Sequence, residues 1–401
     1  MGEINLDNTG SGGAVTLSSD GTSLLLDGSA IGGGGGGADL YAANEVSVTA
    51  QPSATGDDAV AIGDSAVSSG ANAIAFGFSS LASGFNAISI GNGEANNSNA
   101  IAIGGNSLSS GVQSFAGGHS AVSTGSYSHA TTNSYASGSS SFAAAIANNS
   151  ASYGATGANS IAMGKNAKAT ALYNVGIGGF NATASGSAYA LALGSYVTAS
   201  ANISTAIGVS NNASGSKSIA IGDNNSSSSS FAVTLGSGNV ASSASSLVLG
   251  NHGEAAIIGK IVFSNGYFSA RGDSQAGQYI LRADTTDATP TVLTTDNSAA
   301  GNNDQIIAAN DTCIMFSGTL VAMQDGAQDQ GGWEIKGLLK NDGGTTTLVS
   351  SNIQTFADGN GWVVALTADN TNNALAITCT GEASHNIRWV ANIHTSEVTY
   401  A

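Results

Sequence analysis

The chain has 401 residues and a net charge of −17, with 56 glycines, 41 % hydrophobic residues and only 9 % charged residues. That apolar load excludes a disordered Gly/Ser tract, and the scarcity of charge (an ordinary globular chain carries about 25 %) excludes a surface solvated by Lys and Glu. The acidic balance, with no Lys or Arg before Lys165, excludes nucleic acid as a partner.

The N-terminus, Met1-Gly2-Glu3-Ile4-Asn5, shows no basic n-region or apolar h-region, so no secretory signal is expected. Leu6 stands where a myristoylation motif needs Ser or Thr. No run approaches eighteen apolar residues, so no helix is expected to span a membrane. Residues 1–31 read as short strands, Ala14-Val15-Thr16-Leu17-Ser18 and Ser23-Leu24-Leu25-Leu26, with turns at Asp20-Gly21 and Asp27-Gly28. This segment is too short for a core of its own and is expected to attach by pairing with another protein. Residues 32–56 read as a linker and lead-in, opened by Gly32 to Gly37. A phosphate-cradling loop would need a Lys-Ser/Thr pair and a following helix, and neither is present.

Residues 57–259 are repetitive. Val60-Ala61-Ile62-Gly63, Ile74-Ala75-Phe76-Gly77, Ile88-Ser89-Ile90-Gly91 and Ile101-Ala102-Ile103-Gly104 begin fourteen copies that end at Leu247-Val248-Leu249-Gly250, most of them 13 or 14 residues apart. A second glycine follows seven residues after the first, as at Gly70, Gly84, Gly111, Gly125 and Gly215. Apolar positions at spacing two, with interior Gly and Ser, argue against helix and for strands. The pattern predicts a coil of two short strands and two glycine turns, stacked so that each backbone group finds a partner one coil away. Large residues such as Val60 and Ile62 share one strand face. They are expected to pack across a narrow tube against small residues such as Ala66 and Ser68 or Ala167 and Ala169. His129 and Thr131 then occupy core positions of a weak coil. Further irregularity is expected at the insertions before Gly164 and Gly194.

This stretch resembles the head of trimeric autotransporter adhesins, most closely at Asn99-Ala100-Ile101-Ala102-Ile103-Gly104 and Ser218-Ile219-Ala220-Ile221-Gly222. The resemblance implies a left-handed parallel β-roll of about fourteen-residue coils. Three chains would stand side by side, their apolar strand faces shared between roll interior and trimer centre.

From residue 260 to 401 the repeats stop and aromatic residues rise. Runs such as Cys313-Ile314-Met315-Phe316, Trp333-Glu334-Ile335-Lys336, Trp362-Val363-Val364 and Ile387-Arg388-Trp389-Val390 predict roughly eight strands in an antiparallel β-sandwich-like domain. The region resembles a C-terminal domain found repeatedly in phage tail-fibre and appendage proteins. The shared residues are Thr285-Thr286-Asp287-Ala288-Thr289-Pro290-Thr291, Trp333 to Gly337, Thr380-Gly381-Glu382-Ala383 and Ile387 to Ala391.

The chemistry-bearing residues are few. His119, His129, His252, His385 and His394 show no metal-pair spacing, so no metal or other cofactor is expected. Cys313 and Cys379 read as reduced buried thiols more readily than as a disulfide. Arg271-Gly272-Asp273 matches an integrin-binding tripeptide but sits at an expected turn. Trp333, Trp362 and Trp389 could stack on sugars, yet their apolar strand contexts favour a core. Asp57-Asp58 and the pair Asp325 and Asp329 have no nucleophile or oxyanion donor to complete an active site. The chain is therefore expected not to be an enzyme. The two resemblances together imply a virion structural protein made in the host cytoplasm: a homotrimeric phage tail, neck or capsid fibre. Its residues 1–31 would join virion proteins, and its C-terminal domain would meet a host-surface receptor through residues that the sequence does not assign. No membrane insertion is expected. A bacterial surface adhesin of the trimeric autotransporter type is the alternative. Ice binding and polysaccharide cleavage are weaker readings, lacking Thr-x-Thr ranks and a carboxylate pair in a cleft.

Overall fold

The computed structural model describes residues 50–146, 152–326, 329–358 and 361–400, together with the backbone of five short strands among the first 49 residues. The chain divides into two compact units, Met1–Ile103 and Gly104–Ala401, and the described residues contain no helix.

In the first unit Ile4–Leu6, Val15–Ser19, Leu24–Leu26 and Ser29–Ala30 form an antiparallel meander, which absorbs both strands expected in the N-terminal segment. Gly32 to Gly37 lie outside the described residues. Ala38–Leu40 then pairs in parallel with Val60–Ile62, so the lead-in already holds a strand of the stack. Ile74–Phe76, Ile88–Ile90 and Ile101–Ile103 continue that wall. A second wall of two-residue strands runs from Ser53–Ala54 through Val67–Ser68 and Leu81–Ala82 to Glu94–Ala95.

The second unit opens with the same coil, a parallel β-solenoid. Its long wall runs from Phe115–Gly117 to Ile261–Asn265 and its short wall from Leu108–Ser109 to Glu254–Ala255. The degenerate copies stay in register, His129 pairing with Phe115 on one side and Phe142 on the other. The longer step before Gly194 is absorbed by a register shift between Val175–Phe180 and Leu191–Ser195. In the insertion before Gly164, residues 147–151 lie outside the described residues. The wall also runs one strand past residue 259. Ile261–Asn265 pairs with Leu247–Asn251, and Ser264 replaces the glycine that marks every regular copy.

The filling of the tube reverses one expectation. The second residue of each described long-wall strand is the buried one, as Ala61, Ala75, Ala102, Ala162, Ala192, Ala206 and Ala220 show at 0 % exposure. The short wall contributes Ser68, Ala82, Ala169, Ala199 and Ala213 in the same way. Large residues on either side, Val60 and Ile62 or Ile219 and Ile221, point outward. Two half-coils of seven residues close a narrow bore, filled mostly by methyl and hydroxymethyl groups. His129 and Thr131 are accordingly not core residues; Ala130 fills their coil. Larger apolar residues inside the roll are few: Ile146, Val197, Val248 and Val262.

The hydroxyls of Ser68, Ser80, Ser141 and Ser218 are buried without a hydrogen-bond partner, whereas other polar groups inside the bore are paired and one set forms a column. The Asn211 side chain donates to the carbonyls of Ile207 (2.7 Å) and Gly222 (2.6 Å) and accepts from the Asn225 backbone N–H (2.9 Å). Asn225 and Asn239 repeat this one and two coils on. The column ends where Asn239 accepts from the Gly253 N–H (2.9 Å).

Corners place a left-handed residue every seven positions, such as Asn72, Ser79, Asn86, Asn99 and Asn106. The two glycine classes serve different needs. Gly63 has φ +115°, a conformation that disfavours side chains. Gly70 has an ordinary φ, but a Cβ there would overlap the Gly84 carbonyl of the next coil.

The C-terminal region is antiparallel. Ser274–Thr285 pairs with Ile387–Thr399, which pairs with Thr312–Gln324, followed outward by Gln330–Asp342 and Thr345–Asp358. A smaller sheet sets Ala374–Thr380 against Val363–Asp369, Thr291–Val292 and Ile306–Ile307. The sheets share a core that includes Tyr279, Phe316, Leu339, Trp333, Trp362, Ile377 and Trp389.

The last coil is locked to this domain. Ile261–Asn265 pairs antiparallel with Ser274–Thr285. At the end of the short wall the Gln275 amide accepts from the Glu254 N–H (2.9 Å) and donates to the Glu254 carbonyl (3.1 Å). Beside it, Lys260 and Glu397 form a buried ion pair at 2.6 Å, joined by Gln275 Nε2 and the Tyr279 hydroxyl. Burial pushes the Glu397 carboxyl up, but the Lys260 charge and hydrogen bonds from Lys260, Gln275 and Thr395 outweigh it and hold the carboxyl below the usual range. Burial first, and then the Glu397 charge, drives the Tyr279 phenol well above its ordinary value.

Candidate functional site: the outward face of the roll

In most coils two large residues, at the first and third strand positions, make the outward side of the long wall. Because the coils stack in register, each residue meets its counterpart one coil away, as Ile161 with Val175 and Val175 with Leu191, or Ile219 with Val233 and Val233 with Leu247. The result in each unit is a double column of Ile, Val, Leu and Phe. Exposure is 42 % at Ile74, 51 % at Phe76, 40 % at Leu193 and 51 % at Phe263. An exposed apolar area of this extent marks an interaction surface. His129 lies within it, its ring 4.5 Å from Phe115 and 5.3 Å from Phe142. Partial burial lowers the pKa of that imidazole below the ordinary 6.5.

One corner carries a second feature that sequence reasoning missed. Where most coils put Asn or Ser in the left-handed position, successive coils carry Tyr173, Tyr189, Ile203, Lys217 and Phe231. The Tyr173 and Tyr189 rings stack at 4.9 Å, and the Lys217 ammonium lies 4.9 Å from the Phe231 ring centre. The signal lay in the spacing of these bulky side chains, sixteen residues from Tyr173 to Tyr189 and fourteen from each to the next thereafter.

The remaining sequence candidates do not converge. His119 contacts Ser120 (3.1 Å), His252 packs on Tyr267, His385 lies 3.3 Å from Glu382, and His394 stands on the exposed face of the long C-terminal sheet. Among the described residues no three His, Cys, Asp or Glu side chains are grouped to hold a metal. Asp57 and Asp58 are exposed at a coil corner, and Asp325 and Asp329 lie at the turn after Thr312–Gln324. Cys313 is half-buried on the outer face of the long sheet, whereas Cys379 is buried in the core of the small one, and neither forms a disulfide. Burial pushes the Cys379 thiol up to about 12.

Trp333, Trp362 and Trp389 are buried against one another, with ring centres 5.6 and 5.5 Å apart, which removes them as sugar platforms. Arg271-Gly272-Asp273 is committed to the junction. Arg271 Nε donates to the Gly238 carbonyl at 2.6 Å, and the buried Asp273 carboxylate accepts from the backbone N–H groups of Phe268, Ser269 and Ala270. Burial opposes its charge, but these bonds hold its pKa below the ordinary carboxylate value.

A sequence model of the family described as the YadA head domain repeat matches residues 54–80, 95–121, 155–173 and 199–225. The matches fall within the coiled region and cover about a quarter of the chain. None of the curated proteins matches the chain.

Proposed function

We propose that the chain is the head of a homotrimeric surface adhesin, in which three rolls stand side by side with their apolar double columns turned to a common axis. The observation that carries this reading is the outward side of the long wall, where the largest apolar residues of a nearly uncharged coil are left in solvent by a single chain. Similarity to the YadA head domain repeat supports the adhesin class over the virion fibre expected from the sequence. In this reading the protein acts by binding: among the described residues the acids, histidines and thiols are dispersed, and the tryptophans are core.

Sedimentation equilibrium of the full chain at micromolar concentration tests the assembly. A stable trimer is expected, and Leu193→Asp combined with Ile207→Asp should abolish it. A folded monomer would overturn the proposal. The likeness of residues 285–291, 333–337, 380–383 and 387–391 to phage appendage domains favours a virion fibre as the second reading. Immunogold labelling separates the two, by whether antibody to residues 260–401 decorates bacterial cells or phage particles.

A further inference from the structure

The exposed side of the long C-terminal sheet is continuous with the outward side of the roll. Ile261–Asn265 pairs in parallel with Leu247–Asn251 and antiparallel with Ser274–Thr285, with Ile261 opposite Gln278 and Phe263 opposite Ala276. Residues directly opposite across strands share a face, so Ala276, Gln278 and Ile280 lie on the same side as Leu247, Leu249, Ile261 and Phe263. Register carries that side onward. Ile280 faces Asn392 and Gln278 faces His394, and across the next pairing Val390 faces Val321 and Ser396 faces Met315. The other side of the same strands is the aromatic core.

Among the polar Gln278, Asn392, His394 and Ser396, this exposed side leaves large apolar residues in solvent. Exposure is 47 % at Ile280, 51 % at Met315, 55 % at Val321, 53 % at Met323 and 43 % at Val390. Charge stands at its edges: Arg282 lies opposite Val390, Arg388 and Asp284 pair at 3.3 Å, and Glu334 and Lys336 lie on the next strand, opposite Thr319 and Ser317.

Resting on the trimer reading above, we propose that this face is covered by the same face of the two other copies, so that the C-terminal domain is trimerised through its long sheet and is not a free knob. One unbroken sheet joins the two surfaces, and it fixes the occupant. An axis that covers Leu247, Leu249, Ile261 and Phe263 passes on the same side of the strands that follow. The small sheet and its loops, around residues 286–311 and 361–373, then face outward and form the surface left for a receptor.

Three methionines make the test internal to the unmodified protein. Met163 lies on the roll face, Met315 and Met323 on the C-terminal face, with 38 %, 51 % and 53 % exposure in a single chain. Peroxide oxidation of each, followed by peptide mass spectrometry, is compared with the urea-unfolded chain. All three are expected to oxidise at least about tenfold more slowly in the native protein, since the reaction follows access to sulfur. Rapid oxidation of Met315 and Met323 beside a protected Met163 would overturn the inference and leave the roll trimer standing. Rapid oxidation of all three would overturn both. Val321→Asp with Val390→Asp should restore fast oxidation of Met315 while the roll keeps the chain trimeric and the buried tryptophan emission is unchanged. If Met315 stays protected in that variant, something other than this face in other copies covers it, and the proposal fails.

Discussion

The roll and the C-terminal domain solve the same burial problem in opposite ways. In the domain the largest side chains, Trp389, Tyr279 and Phe316, go inside and the sheet closes over them. In the roll the largest go outside, and alanine and serine fill the bore. The difference follows from how far apart the two walls stand. Strands of twelve to fourteen residues make sheets broad enough to enclose indole rings, whereas half-coils of seven residues enclose methyl groups. A single roll therefore completes its hydrogen bonds without completing its apolar burial, and the domain completes both.

The comparison breaks first at Trp389. Trp389→Ala should cost about 4 kcal/mol, confined to the C-terminal transition in calorimetry while the roll transition stays put. A shift of both transitions would mean that the two regions unfold as one. Next in size, Asn225→Ala should cost about 3 kcal/mol, because it strands the Asn239 N–H and the Ile221 and Gly236 carbonyls inside the bore; urea unfolding measures it. Ala206→Leu should cost about 2 kcal/mol by overpacking, while Ala→Leu on a broad core would be milder. Ile203 holds φ +57°, which a β-branched residue adopts under strain. Ile203→Asn should therefore raise stability by about 1 kcal/mol, read as an upward shift in Tm.

Acid gives the smallest effect. His129 has a lowered pKa in the folded roll, so its contribution is fully present above the ordinary value near 6.5 and is lost as pH falls through the folded value. Melting temperatures taken from pH 7.5 down to 5 should show an extra fall that His129→Phe removes. An unchanged profile would mean that the ring is solvated.

The roll was legible because its period is written in glycine. The fourteen-residue step, the alternation at spacing two and the large residues on one strand face all lie in the sequence. Which side of the strand faces the bore was not legible from alternation, since Val60-Ala61-Ile62 fits either assignment. Only the width of the closed coil decides it. The coil at Ile261–Asn265 escaped because Ser264 replaces the glycine, and the column of Asn211, Asn225 and Asn239 was visible at fourteen-residue spacing but reads as polar surface until the bore is known. In the C-terminal domain strand runs were recognisable, whereas the pairing of Ser274–Thr285 with Ile387–Thr399 spans more than a hundred residues and leaves no local trace. Trp333, Trp362 and Trp389 were placed as core by their apolar neighbours, and the structure agrees. Arg271-Gly272-Asp273 kept its adhesive reading open until the contacts of Arg271 and Asp273 were seen.

The amide of Gln275 and the strand Ser274–Thr285 together finish the stack. A pile of identical parallel layers has no intrinsic length: its last layer presents the same unpaired N–H and C=O groups as every layer beneath it, and such an edge recruits further strands. Here the long wall ends on an antiparallel strand, and the short wall ends on a side chain that imitates one, its oxygen and nitrogen taking the places of the next carbonyl and N–H. Substituting Gln275 would expose a growth point, and the hazard would be end-to-end polymerisation into filaments at unchanged fold. The protein's finite length is thus decided by one residue pair at its terminus, Gln275 with Glu254, as much as by the number of repeats.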